Sequence, residues 1–441
     1  MSTSDLIDIG TSQRVRTTKS RLQPWAITLL LSAFLFINFA DKAVLGLVAK
    51  PLSEEFGLDH AAYGHLASAF YLLFSVAAFL VGMLTNRIST RWLLLILALL
   101  WSLTQVPMIW TTSIAVVYAS RIALGAAEGP AFGLASHAVH KWFDNAHLQL
   151  PNSVVAVGAK LGSLVAAPML TWVIVQFGWR QAFVAVAIAG LIWSLLWLAV
   201  GREGPITSVH QEPADREGDT AADAEERKVP YRQLLLSRTY LGQLILSCAG
   251  YFGLALAVTW LPSFLQEGLH RSLTTTGSLV AVYWGVAALL TFGAGLVSQR
   301  MTLRGISTRW SRGAVGAAMI LVGGVSISLA AVVQTPTSSF ALVALGMGAP
   351  SAVFAISATI QGEITPMRQR GTVLGLTVGV ATLSGVIAPS VMGVLVQADL
   401  GSLAGYQNGF KVLGAICMLA AILGFALINP ARDAARLLGS R

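Results

Sequence analysis

Five ionisable residues lie inside long apolar segments of this 441-residue chain. In chain order they are Asp41, Lys42, Arg121, Glu128 and Lys160. Hydrocarbon strongly penalises a charge, so ionisable residues at membrane depth commonly bind a proton, an ion or a substrate. These five side chains are therefore the first candidates for a functional site.

Helix geometry predicts how these charges meet. Arg121 and Glu128 are seven residues apart, which places them on one helix face, about 10 Å apart along the axis. Asp41 is expected at a depth similar to that of Arg121, so the two side chains can form an ion pair. Lys42 points about 100° away from Asp41 around the helix axis and can face the cavity. Lys160 is expected near the midplane, at the level of Glu128.

The chemistry available to such a cluster is the reversible loading of a proton and an anion. A buried carboxylate such as Glu128, beside a cation, can bind and release a proton as its partner changes. Lys42 or Lys160 can receive the carboxylate of an organic anion, which cancels part of the charge. Two structural interpretations stay open: Asp41 and Arg121 form only a structural pair, or Lys160 is a structural partner of Glu128.

Composition places the chain among polytopic membrane proteins. It is 55% hydrophobic and only 11% charged, whereas soluble domains carry about 25% charged residues. The net charge of +9 does not indicate a nucleic-acid partner, because the basic residues form short clusters between apolar runs. Cys248 and Cys417 both lie in apolar runs, so no disulfide framework is expected.

Twelve apolar segments have the length of about 20 residues that a membrane-spanning helix needs. They are predicted at 25–48, 62–84, 92–110, 114–137, 151–176, 181–200, 240–264, 274–298, 312–333, 338–361, 371–397 and 408–428. The prediction is an all-α membrane protein with twelve transmembrane helices in two pseudo-symmetric six-helix bundles.

One long polar break divides these segments six and six. The predicted parts are a tail 1–24, a bundle 25–200, a flexible linker 201–239, a bundle 240–428 and a tail 429–441. Of the 29 Lys and Arg residues, 22 fall on the side of the tails and the linker and 4 on the opposite side. By the positive-inside rule, both termini and the linker are expected in the cytoplasm, with the protein in the inner (plasma) membrane. The first span is expected to serve as its own insertion signal.

A short repeat relates the two halves. The segment after the second span reads Gly-Met-Leu-Thr-Asn-Arg and ends at Arg87; the segment after the eighth reads Gly-Leu-Val-Ser-Gln-Arg and ends at Arg300. Both resemble the signature loop of the major facilitator superfamily, Gly-x-x-x-Asp-Arg. Asn86 and Gln299 stand where that family has Asp. These gating loops are therefore expected to lose charge pairing, which predicts a softer gate.

Further motifs resemble the anion:cation symporter branch of that superfamily over nearly the whole chain. Asn38-Phe39-Ala40-Asp41-Lys42 is similar to its Asn-Tyr-x-Asp-Arg, and the segment from Arg121 to Glu128 is similar to its Arg-x-x-x-Gly-x-x-Glu. The segments Trp142-Phe143, Gly178-Trp179-Arg180 and Trp260-Leu261-Pro262 also match it.

The resemblance implies roles for these residues. Asp41 and Glu128, together with Arg121, are expected to take part in proton coupling. Lys42 stands where the branch has a substrate-contacting Arg, so it is expected to contact the substrate. Lysine keeps the charge but loses the planar fork that fits a carboxylate.

Aromatic and hydroxyl side chains are expected to line the rest of the substrate cavity. The candidates are Tyr71, Phe74, Tyr251, Phe354 and Thr382. Phe74 and Thr382 stand where the resembled branch has a Tyr and an Asn, which favours a less hydroxylated organic acid over a sugar acid. Simple packing is the alternative for the aromatic rings.

The predicted function is secondary active transport: import of a small organic (carboxylate) anion by proton symport through alternating access, as a monomer in the lipid bilayer. A proton-antiporting exporter of metabolites or drugs and a non-transporting anion sensor are the alternatives. No enzymatic activity, nucleic-acid partner or cofactor is expected, with the proton as coupling ion. No metal site is expected, because His137 and His140 lack Cys or acidic neighbours at ligand spacing, and no nucleotide-binding P-loop occurs.

Overall fold

The computed structural model of the chain describes residues 19–85, 87–143, 149–205, 229–366 and 369–439. Helices form its secondary structure over these residues, and we number the membrane spans 1 to 12. In the N-terminal half they are Lys19–Leu47, His60–Leu72 with Phe74–Leu84, Thr90–Gln105 with Val106–Ile109, Ile114–Glu128 with Ala131–His140, Gln149–Phe177 and Trp179–Val200.

The C-terminal half repeats this arrangement. Its spans 7 to 12 are Arg238–Thr259, Leu273–Leu303, Arg309–Ala314 with Val315–Ala330, Pro336–Gly348 with Ala352–Ile364, Arg370–Thr382 with Ser384–Ala398, and Leu403–Leu427. Short helices outside the spans are Ala49–Phe56, Tyr231–Leu235, Leu261–Ser263, Phe264–Gly268 and Pro430–Leu438.

Eleven helical segments of the described chain are long and apolar enough to cross a membrane. The twelfth, span 4, is interrupted at Gly129-Pro130 into helices of 15 and 10 residues. A proline has no backbone N–H to donate, which explains why the helix is interrupted there. The architecture is the predicted one: twelve transmembrane helices in two pseudo-symmetric six-helix bundles.

The observed helix ends follow local sequence signals. Asp59 starts span 2 by accepting a hydrogen bond from the Ala62 amide at 2.7 Å, as a helix N-cap does. Span 8 continues past its predicted end at residue 298 to Leu303, because the stop signal is Gly305, whose φ of +77° suits glycine.

The prediction that Gln299 and Arg300 lie in a loop is therefore wrong. Both are exposed on the last turns of the span 8 helix. In the first half, Arg87 is exposed, whereas Asn86 lies outside the described residues.

The predicted linker and C-terminal tail each contain ordered helix. The helix Tyr231–Leu235 precedes span 7, and Pro430–Leu438 follows span 12. Part of the linker, 206–228, lies outside the described residues. The described end of the linker packs through Val229 and Leu234 in a small apolar cluster with Tyr240, Ile364 and Val373. The apolar residues at the end of the linker therefore hold this part of it against spans 7, 10 and 11.

The two halves touch on the side of the bundle opposite the chain termini, which we call the far side. A Cβ atom on Gly64 of span 2 would lie 2.5 Å from the Pro389 carbonyl oxygen of span 11. The Tyr63 hydroxyl of span 2 donates to the Thr259 carbonyl of span 7 at 3.0 Å. Direct backbone contact of this kind closes the far side.

Toward the side that carries the termini, which we call the termini side, the halves separate. Gly277 of span 8 packs on Thr171 of span 5, and Leu164 still approaches Gly285. Further along both spans the side chains are exposed, to 46% at Leu161 and 73% at Leu289. The gap between the halves is therefore closed on the far side and opens on the termini side.

Candidate functional site

Interruptions of the spans place several candidate residues at helix ends. Glu128 is the last residue of the first helix of span 4, Phe74 begins the second helix of span 2, and Thr382 ends the first helix of span 11. Discontinuous helices near the midplane are where secondary transporters commonly build their binding sites. The sequence folds this way at span 4 because of Gly129-Pro130.

Asp41 and Arg121 are both buried, but they do not form the direct ion pair expected from their depth. Gln105 at the end of span 3 lies between them. Its Nε2 donates to Asp41 Oδ1 at 2.7 Å and Oδ2 at 2.6 Å, and its Oε1 accepts from Arg121 Nη2 at 3.1 Å. The Arg121 guanidinium also lies over the Phe183 ring, 5.4 Å from its centroid. A neutral amide, long enough to reach both charges, separates the pair.

Lys42 is engaged with Glu128. Its Nζ lies 2.7 Å from Glu128 Oε2, and Glu128 is 1% exposed. Lys42 also donates to Asn38 Oδ1 at 2.5 Å and lies over the Phe39 ring at 4.7 Å. Lys42, which was expected to face the cavity, is therefore held by the carboxylate from span 4 and by Asn38 of its own helix.

Lys160 does not pair with Glu128, which rules out that structural alternative in this conformation. Spans 1 and 5 run side by side, with Gly158 against Ser32 and Gly162 against Phe36. This register places Lys160 about 12 Å closer to the termini side than Lys42, at 1.5 Å per residue. Its side chain is exposed and forms no ion pair with any described residue.

Lys160 faces the gap between the halves. It continues the helix stripe of Leu164 and Thr171, which contact Gly285 and Gly277 of span 8. At Lys160 the two spans have already separated, and the Lys160 side chain is exposed there. The prediction that Lys160 lies at the level of Glu128 is therefore wrong: the other four charges cluster, and Lys160 lies closer to the termini side.

The remaining candidates surround the cluster at the interface of the halves. Phe74 is half-buried and its ring centroid lies 5.8 Å from Lys42 Nζ. Tyr71 is buried with its ring against Gly385 of span 11. Half-buried Tyr251 and Phe354 pack edge to face at 4.8 Å.

Thr382 differs from the expectation that it lines the cavity. It is fully buried, and its hydroxyl donates to the Gly379 carbonyl at 2.9 Å. It also makes a short contact with Ser75 of span 2. Its oxygen is therefore used to join the halves.

Sequence reasoning missed Gln105, although a signal for it exists. An amide inside an apolar run must satisfy four hydrogen-bonding positions in a dry environment, so it predicts polar partners there. A second missed group is the far-side network of His60, Glu267, Tyr406 and Gln397. His60 Nε2 lies 3.1 Å from Glu267 Oε2, Tyr406 donates to the same oxygen at 2.6 Å, and Gln397 Oε1 accepts from the His60 amide at 3.0 Å.

Glu267 lies outside the spans, and its electrostatics follow from this network. Burial acts to raise its pKa, but hydrogen bonds from His60 and Tyr406 outweigh burial and hold the pKa below its usual range. An ionised Glu267 therefore joins span 2 of one half to the helix after span 7 of the other. Within the described residues, no group of three His, Cys, Asp or Glu side chains is arranged to hold a metal ion.

Known proteins with a similar sequence are membrane transporters. Residues 31–333 match the family model of the Major Facilitator Superfamily. Among curated relatives, a hexuronate transporter of Bacillus subtilis is 24% identical, with 89% of this chain and 92% of the relative covered. A probable sulfoacetate transporter of Cupriavidus necator is 25% identical over 90% and 91%, and a D-galactonate transporter of Escherichia coli is 24% identical over 90% and 93%.

Solved structures show the same fold at lower sequence identity. A bacterial homologue of the human lysosomal transporter Spinster gives a TM-score of 0.77 at 17% identity, covering 94% of this chain and 98% of that one. A D-xylose–proton symporter gives 0.74 at 17% identity, covering 93% and 99%. The chain therefore belongs to the major facilitator superfamily, and it is a multi-pass membrane transporter and not an enzyme.

Proposed function

We propose that the protein imports a small organic anion together with protons by alternating access. The observation that carries this proposal is the Lys42–Glu128 ion pair, with 2.7 Å between Nζ and Oε2, buried at the closed end of the gap between the halves. Relatives named as transporters of hexuronate, sulfoacetate and D-galactonate support an acidic substrate.

The ion pair links the proton to the anion by competition for one cation. While Glu128 is ionised, its carboxylate occupies Lys42. Protonation of Glu128 removes that negative charge and leaves Lys42 without a counter-ion. A buried charge without a counter-ion is costly. A substrate carboxylate then takes the place of the Glu128 carboxylate. Protonation of Glu128 thus favours binding of the anion, and a bound anion favours protonation of Glu128.

Lys160 is proposed to hold the anion on its way between the cluster and the termini side. The other two cations near the path are already compensated: Lys42 by Glu128 and Arg121 through Gln105 and Asp41. Lys160 is exposed where the gap opens, so its ammonium group can receive a second carboxylate or sulfonate oxygen. The basic residues on the termini side support a cytoplasmic location of that side.

The test is uptake of labelled glucuronate, galactonate and sulfoacetate into liposomes that contain the purified protein, with and without an inwardly directed proton gradient. Accumulation driven by the gradient is expected for at least one of these acids. The variant Glu128→Gln, which imitates the protonated carboxyl, should lose accumulation and keep exchange of labelled for unlabelled substrate, because exchange needs no change of protonation.

Glu363→Gln is the matched control, since Glu363 forms an ion pair with Arg312 at 2.6 Å away from the cluster. It should accumulate substrate like the wild type. Accumulation against a gradient by Glu128→Gln would refute the coupling role of Glu128. Dependence on a proton gradient of the opposite direction would instead identify a proton-antiporting exporter, and binding without flux would identify a sensor.

A further inference from the structure

We propose that Gln105 is a positioning residue that keeps the Asp41 carboxyl group ionised. Of the two buried carboxyl groups, Asp41 and Glu128, it is then Glu128 that takes up the proton. The inference rests on the proposed function only in that the proton taken up by Glu128 is the one transported with the anion. It assigns different roles to Asp41 and Glu128, which the sequence analysis places together in proton coupling.

The orientation of the Gln105 amide follows from its neighbours. Gln105 is fully buried, with Nε2 directed at both oxygens of Asp41, at 2.7 and 2.6 Å, and Oε1 directed at Arg121 Nη2 at 3.1 Å. The reverse orientation would place the amide oxygen against a carboxylate and the NH₂ group against a guanidinium. Neither contact can be a hydrogen bond, because a carboxylate only accepts and a guanidinium only donates.

This arrangement favours the ionised form of Asp41. Both of its oxygens face the NH₂ group of Gln105, which donates and does not accept. A proton on either oxygen would remove one of the two acceptors that Gln105 Nε2 bridges, and it would leave the remaining carbonyl oxygen uncharged. Protonation of Asp41 therefore weakens a charge-assisted hydrogen bond from Gln105, so the amide favours the ionised form.

Glu128 is in the opposite situation. Both of its oxygens are buried without a partner in hydrogen-bond geometry among the described residues. Its ion contact is to Lys42, which has Asn38 Oδ1 at 2.5 Å as a second acceptor. The Glu128 carboxyl also lies within hydrogen-bonding reach of the Asp41 carboxyl. A proton on Glu128 can be donated to the Asp41 carboxylate. Lys42 then keeps the neutral Asn38 acceptor but loses its counter-ion.

The ionisable groups around Asp41 and Glu128 come from three spans. Asp41 and Lys42 lie on span 1, Arg121 on the same span as Glu128, and Tyr71 on span 2. Arg121 is held on the Asp41 side by Gln105. The amide therefore directs the one strong guanidinium charge toward Asp41, which further favours ionised Asp41 over ionised Glu128.

The test is an infrared titration of the purified full chain in lipid nanodiscs, following the C=O stretch of protonated carboxylic acids as the pH changes. A buried carboxyl signal is expected in the wild type. It should be absent from Glu128→Gln and present in Asp41→Asn. In Gln105→Met, which keeps the side-chain length without the donor, a second carboxyl signal should appear and should be lost when Asp41→Asn is added.

Gln361→Met is the matched control, because Gln361 is equally buried but bonds to Thr377, at 2.8 Å, and to no carboxylate of the described residues. It should titrate like the wild type. Loss of the wild-type signal in Asp41→Asn, or an unchanged titration in Gln105→Met, would overturn the proposal. If Gln105→Met does not fold, the two carboxyl variants with native Gln105 still decide which group takes up the proton.

The titration contains no substrate. Failure of every acid in the uptake assay would therefore refute the proposed function and leave this assignment to be judged by the infrared result alone.

Discussion

At the scale of residues, two amide side chains decide how the buried charges are neutralised. Gln105 joins Asp41 to Arg121, and Asn38 gives Lys42 an acceptor besides Glu128. Buried charges that lack a partner are strongly destabilising, so these amides allow charges to stay in the membrane. Lys160 lies outside this cluster and has no such amide or carboxylate partner among the described residues.

Replacement of Lys160 by Gln should weaken substrate binding. Loss of a hydrogen bond to a charged group is worth about 1.5–3 kcal/mol in general, and a partly exposed site should show the lower end, so KM should rise about tenfold. The measurement is the concentration dependence of uptake with the acid that the protein transports. Lys160→Arg should restore most of the affinity.

Lys411→Gln serves as the control for this experiment, since Lys411 is exposed and donates to Asn408, remote from the gap. An unchanged KM in Lys160→Gln would exclude a substrate contact by Lys160.

At the scale of elements, helix ends on the termini side are joined through Glu203, which follows span 6. Its carboxylate accepts from the Arg91 amide at 3.0 Å and the Thr90 amide at 3.3 Å, at the start of the span 3 helix. It also pairs with Lys141 after span 4. An anion at a helix N-terminus is stabilised by the free N–H groups and by the helix dipole. Three spans of the first half are thereby held in one arrangement.

The pKa of Glu203 gives this contact a pH dependence. Burial acts to raise the pKa, but hydrogen bonds from Lys141 and from the Arg91 and Thr90 amides outweigh burial and lower it. A lowered pKa in the folded state means that the stabilisation is complete above the unfolded pKa of about 4.3. It is lost as the pH falls through the folded value.

Glu203→Gln should therefore lower the apparent Tm at neutral pH, by an amount that corresponds to about 1–2 kcal/mol. The difference from the wild type should shrink below about pH 4, because protonation then removes the same charge from the wild type. Thermal unfolding in detergent across this pH range measures it. Glu54→Gln, at an exposed far-side position, is the control. A Tm difference that stays constant with pH would contradict the electrostatic explanation.

At the scale of the whole molecule, the structure is closed on the far side and open on the termini side. Contact of Gly64 with Pro389 and of Gly393 with the His60 carbonyl allows spans 2 and 11 to approach backbone to backbone. His60 and Glu267 add a polar connection between the halves. Alternating access requires this contact to open, so its strength determines which conformation is populated.

Gly64→Ala should weaken the far-side contact, since the added Cβ would lie 2.5 Å from the Pro389 carbonyl oxygen. Overpacking of this kind costs about 1–3 kcal/mol, which is enough to shift the population toward a conformation open on the far side. The measurement is the distance between spin labels at Asp59 and Leu400, in a background in which Cys248 and Cys417 are replaced.

Gly82→Ala is the matched control, because nothing lies near a Cβ at that position. The label distance should lengthen in Gly64→Ala and stay unchanged in Gly82→Ala. Equal distance distributions in both variants would show that the glycine contact does not decide the conformation.

The sequence by itself determined the fold to within a few residues at most helix ends. Apolar runs of span length must form helices, since hydrocarbon offers no other partner for backbone N–H and C=O groups. Span 8 is an exception, because its stop signal at Gly305 lies beyond the apolar run. The four charges of spans 1 and 4 could also be found from sequence, since charges in such runs stand out.

Only the tertiary structure decided which of these charges meet. Register and depth along single helices predicted Asp41 beside Arg121, and they left Lys42 free. Packing of three helices instead inserted Gln105 between the first two and brought Glu128 to Lys42. The side-by-side register of spans 1 and 5, set by Gly158 and Gly162, placed Lys160 below the cluster. Contacts between helices depend on their rotation and spacing, which the periodicity of one helix does not contain.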